Sequence, residues 1–158
     1  MHLEIRKIEQ ADDPEIEKVI RTVLEEHGIT HPGTAYHDES LKSMYEFYTV
    51  EKSGYFIALL NGKIVGGSGI YPSNGLPDGT CELVKMYILP EARGIGLGKK
   101  LLGCCIAFAY ESGYSRIYLE TVPEFKTAIG MYKKSGFVLL DGPLGNTGHF
   151  ACGIRMLK

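Results

Sequence analysis

Arg93-Gly94-Ile95-Gly96-Leu97-Gly98-Lys99-Lys100 joins a strand-like run to a helix-like one. Upstream, Leu83-Val84-Lys85-Met86-Tyr87-Ile88-Leu89 is rich in β-branched, aromatic and aliphatic residues and ends at Pro90, which cannot donate a ladder hydrogen bond. Downstream, Leu97, Leu101, Cys105 and Ala109 recur every fourth residue beside Leu102 and Ile106, which predicts one apolar helix stripe. Glycine at every second position lets the backbone come close to a bound group. The first amides of the new helix are then unpaired, at the positive end of the macrodipole and next to two lysines. That pattern predicts an anion site, most simply for phosphate.

Spacing narrows the ligand. A Walker loop needs a glycine where Arg93 stands and a Ser or Thr where Lys100 stands, so it fails twice. A dinucleotide fingerprint starting at Gly94 needs its third glycine at Lys99, and fails too. Arg-x-x-Gly-x-Gly after a strand resembles the pyrophosphate-binding signature of the GNAT superfamily of acyl-CoA-dependent N-acyltransferases. Ala128-Ile129-Gly130-Met131-Tyr132-Lys133-Lys134-Ser135-Gly136-Phe137 is similar to that family's A-x-x-x-Y-x-x-x-G-F segment. The two stand in the family's order, and the likeness spans residues 3–157.

The 158 residues suffice for one full core, read as a single domain over 1–158. Hydrophobic content of 44%, a formal charge of −2 and a pI near 6.2 carry no basic excess of the kind nucleic-acid surfaces show. No apolar run reaches membrane-spanning length, and Met1-His2-Leu3-Glu4-Ile5-Arg6 lacks the apolar core of a signal peptide, so a cytoplasmic location is expected. Cys81, Cys104, Cys105 and Cys152 have no CxxC spacing and read as free, mostly buried thiols. The histidines at 2, 27, 31, 37 and 149 form no ligand cluster, and no metal is expected.

Leu3–Ile8 alternates like a half-buried strand. A helix starts near Asp12 with Pro14 in its first turn and Glu15 placed for a capping box with Asp12. It buries Ile16, Val19, Ile20, Val23 and Leu24 and stops at Gly28. Leu41, Met44, Tyr45 and Tyr48 suggest a second short helix. Strands at Tyr55–Leu60 and Lys63–Tyr71 meet at Asn61-Gly62, a tight-turn dipeptide. After the loop 72–79, Thr80–Leu89 is a long strand. Then come the glycine-loop helix, a strand at Arg116–Thr121, a helix at Pro123–Ser135, and strands at Phe137–Leu140 and His149–Leu157. The expectation is an α/β (α+β) GNAT-like fold: a mixed, mostly antiparallel sheet of about seven strands flanked by about four helices.

The resemblance implies acetyl-CoA as co-substrate, an amine as acceptor, and a monomer or homodimer. It implies that backbone amides from Arg93 through Gly94, Ile95, Gly96, Leu97 and Gly98 to Lys99 hold the pyrophosphate. Met86, Tyr87 and Ile88 would pair with the pantetheine arm, with an amide near Tyr87 or Ile88 as oxyanion donor. Tyr132 aligns with the tyrosine that protonates the departing thiolate, and Glu82 with a position used for a general base or an amine anchor. Glu82 shares strand parity with Val84, Met86 and Ile88 unless a bulge intervenes. Phe125 departs from the pattern, since many members carry an asparagine there. The acceptor would enter between residues 29–48 and 141–149. Tyr36 and His149 are the candidates there, His149 to bind an acceptor carboxylate or relay a proton. The rivals are a covalent route through Cys81 and an acyl-CoA-sensing module without turnover.

Overall fold

The computed structural model describes residues 1–158. Its seven strands are β1 (Leu3–Lys7), β2 (Gly54–Leu60), β3 (Lys63–Tyr71), β4 (Thr80–Ile88), β5 (Arg116–Thr121), β6 (Val138–Leu139) and β7 (Ile154–Leu157). Its α-helices are α1 (Asp13–Glu26), α2 (Met44–Phe47), α3 (Leu97–Glu111) and α4 (Lys126–Lys134). All strands belong to one sheet, in the order β1-β2-β3-β4-β5-β7-β6. Every neighbouring pair is antiparallel except β4 and β5. No helix is long and apolar enough to cross a membrane.

Alternation on β2 sends Tyr55 and Ile57 into the core cluster under α1, while Phe56 meets Phe108 of α3, ring centroids 5.6 Å apart. Ile16, Val19, Ile20, Val23 and Leu24 form the buried face of α1, as their spacing predicts. Leu102, Cys105 and Ala109 of α3 join Tyr132 of α4 in a second cluster. The four cysteines are free, and all but Cys104 are buried.

Three expectations on local structure are corrected. Asp12 does not cap with Glu15: its carboxylate takes the Glu9 amide at 2.8 Å and the Arg6 guanidinium at 2.7 and 3.0 Å, tying β1 to the entry of α1. The helix expected from Pro123 starts only at Lys126, because the Phe125 amide first closes a turn onto Val122. The strand expected from His149 starts at Ile154. Gly148 adopts φ +84°, and the Cys152 amide bonds back to His149, so residues 149–153 turn rather than extend.

Two irregularities position the site. β4 pairs with β5 only through Thr80, Cys81 and Glu82, and beyond Glu82 the strands part. Within β4, Lys85 adopts φ +49° while the register to β3 slips between Gly67 and Gly69. This is a β-bulge, and it reverses side-chain parity. Glu82 therefore does not share a face with Met86, whose sulfur meets the Tyr132 hydroxyl in the second cluster.

A lysine in the left-handed region costs about 1–3 kcal/mol. Part of the offset is the Tyr55 hydroxyl, which donates to the Lys85 carbonyl at 2.6 Å. Its ring reaches there by lying across β3 where Gly67 and Gly69 have no side chain. A Cβ on Gly67 would fall 2.5 Å from Tyr55 Cε1 and 2.8 Å from the Phe56 carbonyl. Gly67→Ala is therefore expected to destabilise the protein by about 1–3 kcal/mol, the usual cost of overpacking. A drop in Tm of several degrees checks this; an unchanged Tm contradicts the packing argument.

Candidate active site

The parting of β4 and β5 opens a groove of about 650 Å³. One end is the glycine loop. Gly94 (φ +79°) and Gly96 (φ +82°) take the left-handed conformation, and a Cβ on either would touch nothing, so backbone conformation is what requires glycine there. The Arg93 amide donates to Pro90 and the Lys100 amide to Gly96, both at 3.2 Å. The six amides between them, on Gly94, Ile95, Gly96, Leu97, Gly98 and Lys99, donate to nothing within the chain. They precede the long helix α3, so its dipole adds to their field. Leu97 is buried and anchors the helix start, whereas Lys99 and Lys100 are exposed.

Arg93 itself has another task than the one its backbone was expected to share. Its guanidinium pairs with both Glu26 oxygens at 2.9 and 3.0 Å, and its Nε donates to the Ile88 carbonyl at 3.0 Å. Glu26 ends α1, where an anion opposes the helix dipole, so its place there serves the loop rather than the helix. The pair holds the Glu26 carboxyl below its usual range. Arg93 thus ties the loop to α1 and β4.

Along β4, the Leu89 amide donates to Val65 of β3 at 2.8 Å. By antiparallel alternation Tyr87 also turns its backbone to β3, and Ile88 turns its amide away, towards the groove. Of the two expected oxyanion donors, Ile88 is the one so directed. The Tyr87 ring is half-buried, 6.0 Å from Phe125, which in turn lies 4.9 Å from His27. Phe125 gives the groove an aromatic wall where an asparagine would give a polar one.

Glu82 and Tyr132 both line this groove. Glu82 is 4% exposed and accepts a short hydrogen bond from Ser73. Burial pushes its carboxyl up to about 7, with the Glu120 charge adding to the rise and the Ser73 bond opposing it. Tyr132 is buried against Phe137, and burial raises its phenol well above the ordinary value, so it carries its proton at neutral pH. Its only hydrogen-bond partner is the Met86 sulfur at 3.6 Å, a weak acceptor that leaves the proton available.

A second cavity of about 320 Å³ meets the groove at Glu82, Val84, Lys85 and His149. Its walls come from the segment before β2 (Asp38, Phe47, Tyr48), from Tyr71 and Ser73, and from Asn146 and Thr147. Two loops close over it: the Asn146 amide donates to Asn74 at 2.8 Å, and Gly145 packs so closely that a Cβ would fall 2.7 Å from the Asn74 carbonyl. Asp38 accepts from His149 Nε2 at 2.8 and 2.9 Å and from Lys85 Nζ at 2.9 Å. Burial alone would lower both cations, but Asp38 raises His149, and Tyr48 and Asp38 raise Lys85.

Ligand atoms of Glu82, Glu120 and His149 fall within 4.8 Å of one another, close enough to share an ion. Each is already engaged: Glu82 with Ser73, Glu120 with Thr147 and the Tyr118 hydroxyl, His149 with Asp38. Each of the three is thus held by a partner of its own, and no hydrogen bond joins them to one another.

Of the sequence candidates, Glu82, Tyr132, His149, Met86, Tyr87, Ile88 and most of the glycine loop surround these joined cavities. Tyr36 does not. Its hydroxyl donates to Glu25 at 2.6 Å and the Arg21 guanidinium lies over its ring, so it packs on the outside of α1. Cys81 lines neither cavity, and burial pushes its thiol up to about 12. Cys152 lines the groove, but burial holds it at about 12 as well. Neither supplies the thiolate a covalent route needs. Asp38, Lys85, Ser73 and Glu120 were missed. The one signal among them was Lys85, a lone charge inside an apolar strand run.

The family model of the acetyltransferase (GNAT) family matches residues 17–137. The uncharacterized N-acetyltransferase YjgM of Escherichia coli (strain K12) is 41% identical over 155 residues, covering 98% of this chain and 93% of that protein. The crystal structure of a GNAT acetyltransferase from Staphylococcus aureus Mu50 superposes with a TM-score of 0.86 at 22% identity, covering 99% of this chain and 98% of the other. PaiA N-acetyltransferase from Thermoplasma acidophilum, solved in complex with coenzyme A, superposes at 0.72 with 19% identity, covering 100% and 99%. With the splayed sheet, the amide-rich loop and these relatives in agreement, the chain belongs to the GNAT family of acetyltransferases.

Proposed function

We propose that the protein transfers the acetyl group of acetyl-CoA to a primary amine by direct attack. One observation carries the reading: a buried carboxyl poised near 7 lies in the wall of a groove headed by six unpaired amides. The fit to the co-substrate is good at both ends. The amides of residues 94–99 suit a pyrophosphate, and the unpaired edge of β4 beyond Glu82 suits the amide-bearing pantetheine arm. Acetyl-CoA would supply the activated thioester carbonyl.

The chain's own groups supply the rest. An acceptor amine near its reference pKa of about 10 must lose a proton to attack. Glu82 takes that proton, and its raised pKa keeps it basic enough to do so. The Ile88 amide points to where charge gathers on the carbonyl oxygen. As the C–S bond breaks, the sulfur receives a proton from Tyr132. The loop across Asn74 and Asn146 screens the acceptor side from water.

Because Glu82 works deprotonated, kcat is expected to rise as pH increases through about 7. Glu82→Gln should remove that limb and lower kcat by about 10²–10⁴-fold. A pH–rate profile from a thiol-release assay reads both, and an unaltered limb in the variant assigns the base elsewhere. Acetyl-CoA binding without thiol release from any amine would leave the sensing module as the reading.

Tyr132→Phe is expected to lower kcat by about 10²–10⁴-fold while the acetyl-CoA KM stays near that of the parent. Equal kcat values remove Tyr132 from the acid's role.

A further inference from the structure

The second cavity brings acids and cations together where it meets the groove. At its junction with the groove stand the carboxyls of Glu82 and Glu120, which suit an amine. At the same junction the Lys85 side chain is only 5% exposed and shares the carboxylate of Asp38 with His149. Beside Lys85 lies Tyr48, 5% exposed, whose buried hydroxyl finds no acceptor for its proton. A buried donor without a partner is destabilising, and native proteins seldom keep one without a use. The Tyr48 hydroxyl and the free N–H bonds of Lys85 together make a receptor for an anionic group. Phe47 and Tyr71, stacked with centroids 4.4 Å apart, form the aromatic wall next to it. Glu39, the remaining acid of the cavity, is exposed at its rim.

We propose that the acceptor is a primary amine bearing a carboxylate, of the kind a free amino acid presents, with that carboxylate held by Tyr48 and Lys85. The amine then lies towards Glu82 and Glu120. This rests on the transfer reading above and adds to it the substrate class. A carboxylate there gives the orphaned hydroxyl its missing acceptor. An amine lacking the carboxylate would leave Tyr48 unpartnered, which penalises binding.

The test compares a panel of free amino acids with the corresponding amino-acid amides, in the presence of acetyl-CoA. Thiol release reports transfer, and thermal shift of the acetyl-CoA-saturated protein reports binding. The acids are expected to exceed their amides at least about tenfold in kcat/KM, and Tyr48→Phe to erase most of that preference, as loss of a hydrogen bond to a charged group should. Amides acetylated as well as or better than the acids overturn the proposal while transfer to amines stands. An undiminished preference in Tyr48→Phe also overturns it. If no amine is acetylated, the transfer reading fails on its own. Stabilisation by acids but not amides would then still support the carboxylate site, and equal or absent stabilisation would overturn it. The panel on the unaltered protein decides even if the variant does not fold.

Discussion

The arrangement depends on the Tyr55 hydroxyl reaching across β3 to the Lys85 carbonyl. That hydrogen bond contributes about 0.5–1.5 kcal/mol net, too little alone to offset a left-handed lysine costing about 1–3 kcal/mol. The same segment is also held by the Lys85–Asp38 ion pair and by Ser68, whose hydroxyl donates to the Val84 carbonyl at 3.2 Å. The bulge so held has three consequences. It turns Lys85 inwards, sends Met86 to Tyr132, and leaves Ile88 with its amide directed away from β3. Because β5 pairs with β4 only as far as Glu82, the edge so prepared stays open.

The same burial that makes the core also sets the chemistry. Glu82 and Tyr132 are both raised by desolvation, which makes the carboxyl a better base and keeps the phenol protonated. Asp38 is subject to the same penalty but is held low by His149 and Lys85. The two carboxyls thus shift in opposite directions because half-buried Asp38 has cations bonded to it, whereas the more deeply buried Glu82 has a hydroxyl. Arg93 and Glu26 provide the corresponding order at the far end of the groove, where the loop's own backbone must stay free of internal partners.

Local signals made most of this legible. The glycine spacing after β4, the apolar stripe of α3 and the Asn61-Gly62 turn each reflect short-range stereochemistry, which a sequence carries directly. Glu82 and Tyr132 were found through their place in a resembling pattern, and Phe125 through its departure from one. What was not legible depends on contacts between distant residues. The ring of Tyr55 crossing Gly67 and Gly69 joins three strands, and nothing in Gly66-Gly67-Ser68-Gly69 says which ring lies over it. Tyr36 sits beside plausible acceptor residues in sequence but packs outwards onto Glu25 and Arg21. His149 looks like part of a strand until Gly148 takes a positive φ, and only the fold brings Asp38 to it.

The central claim is that the six unpaired amides and the open edge of β4 form one acetyl-CoA site. Titration of ¹⁵N-labelled protein with acetyl-CoA, followed by amide resonances, tests it most directly. The account predicts large saturable shifts, with slowed exchange, at residues 94–99 and at Ile88. Binding that leaves those amides unmoved, or no binding at all, would contradict it.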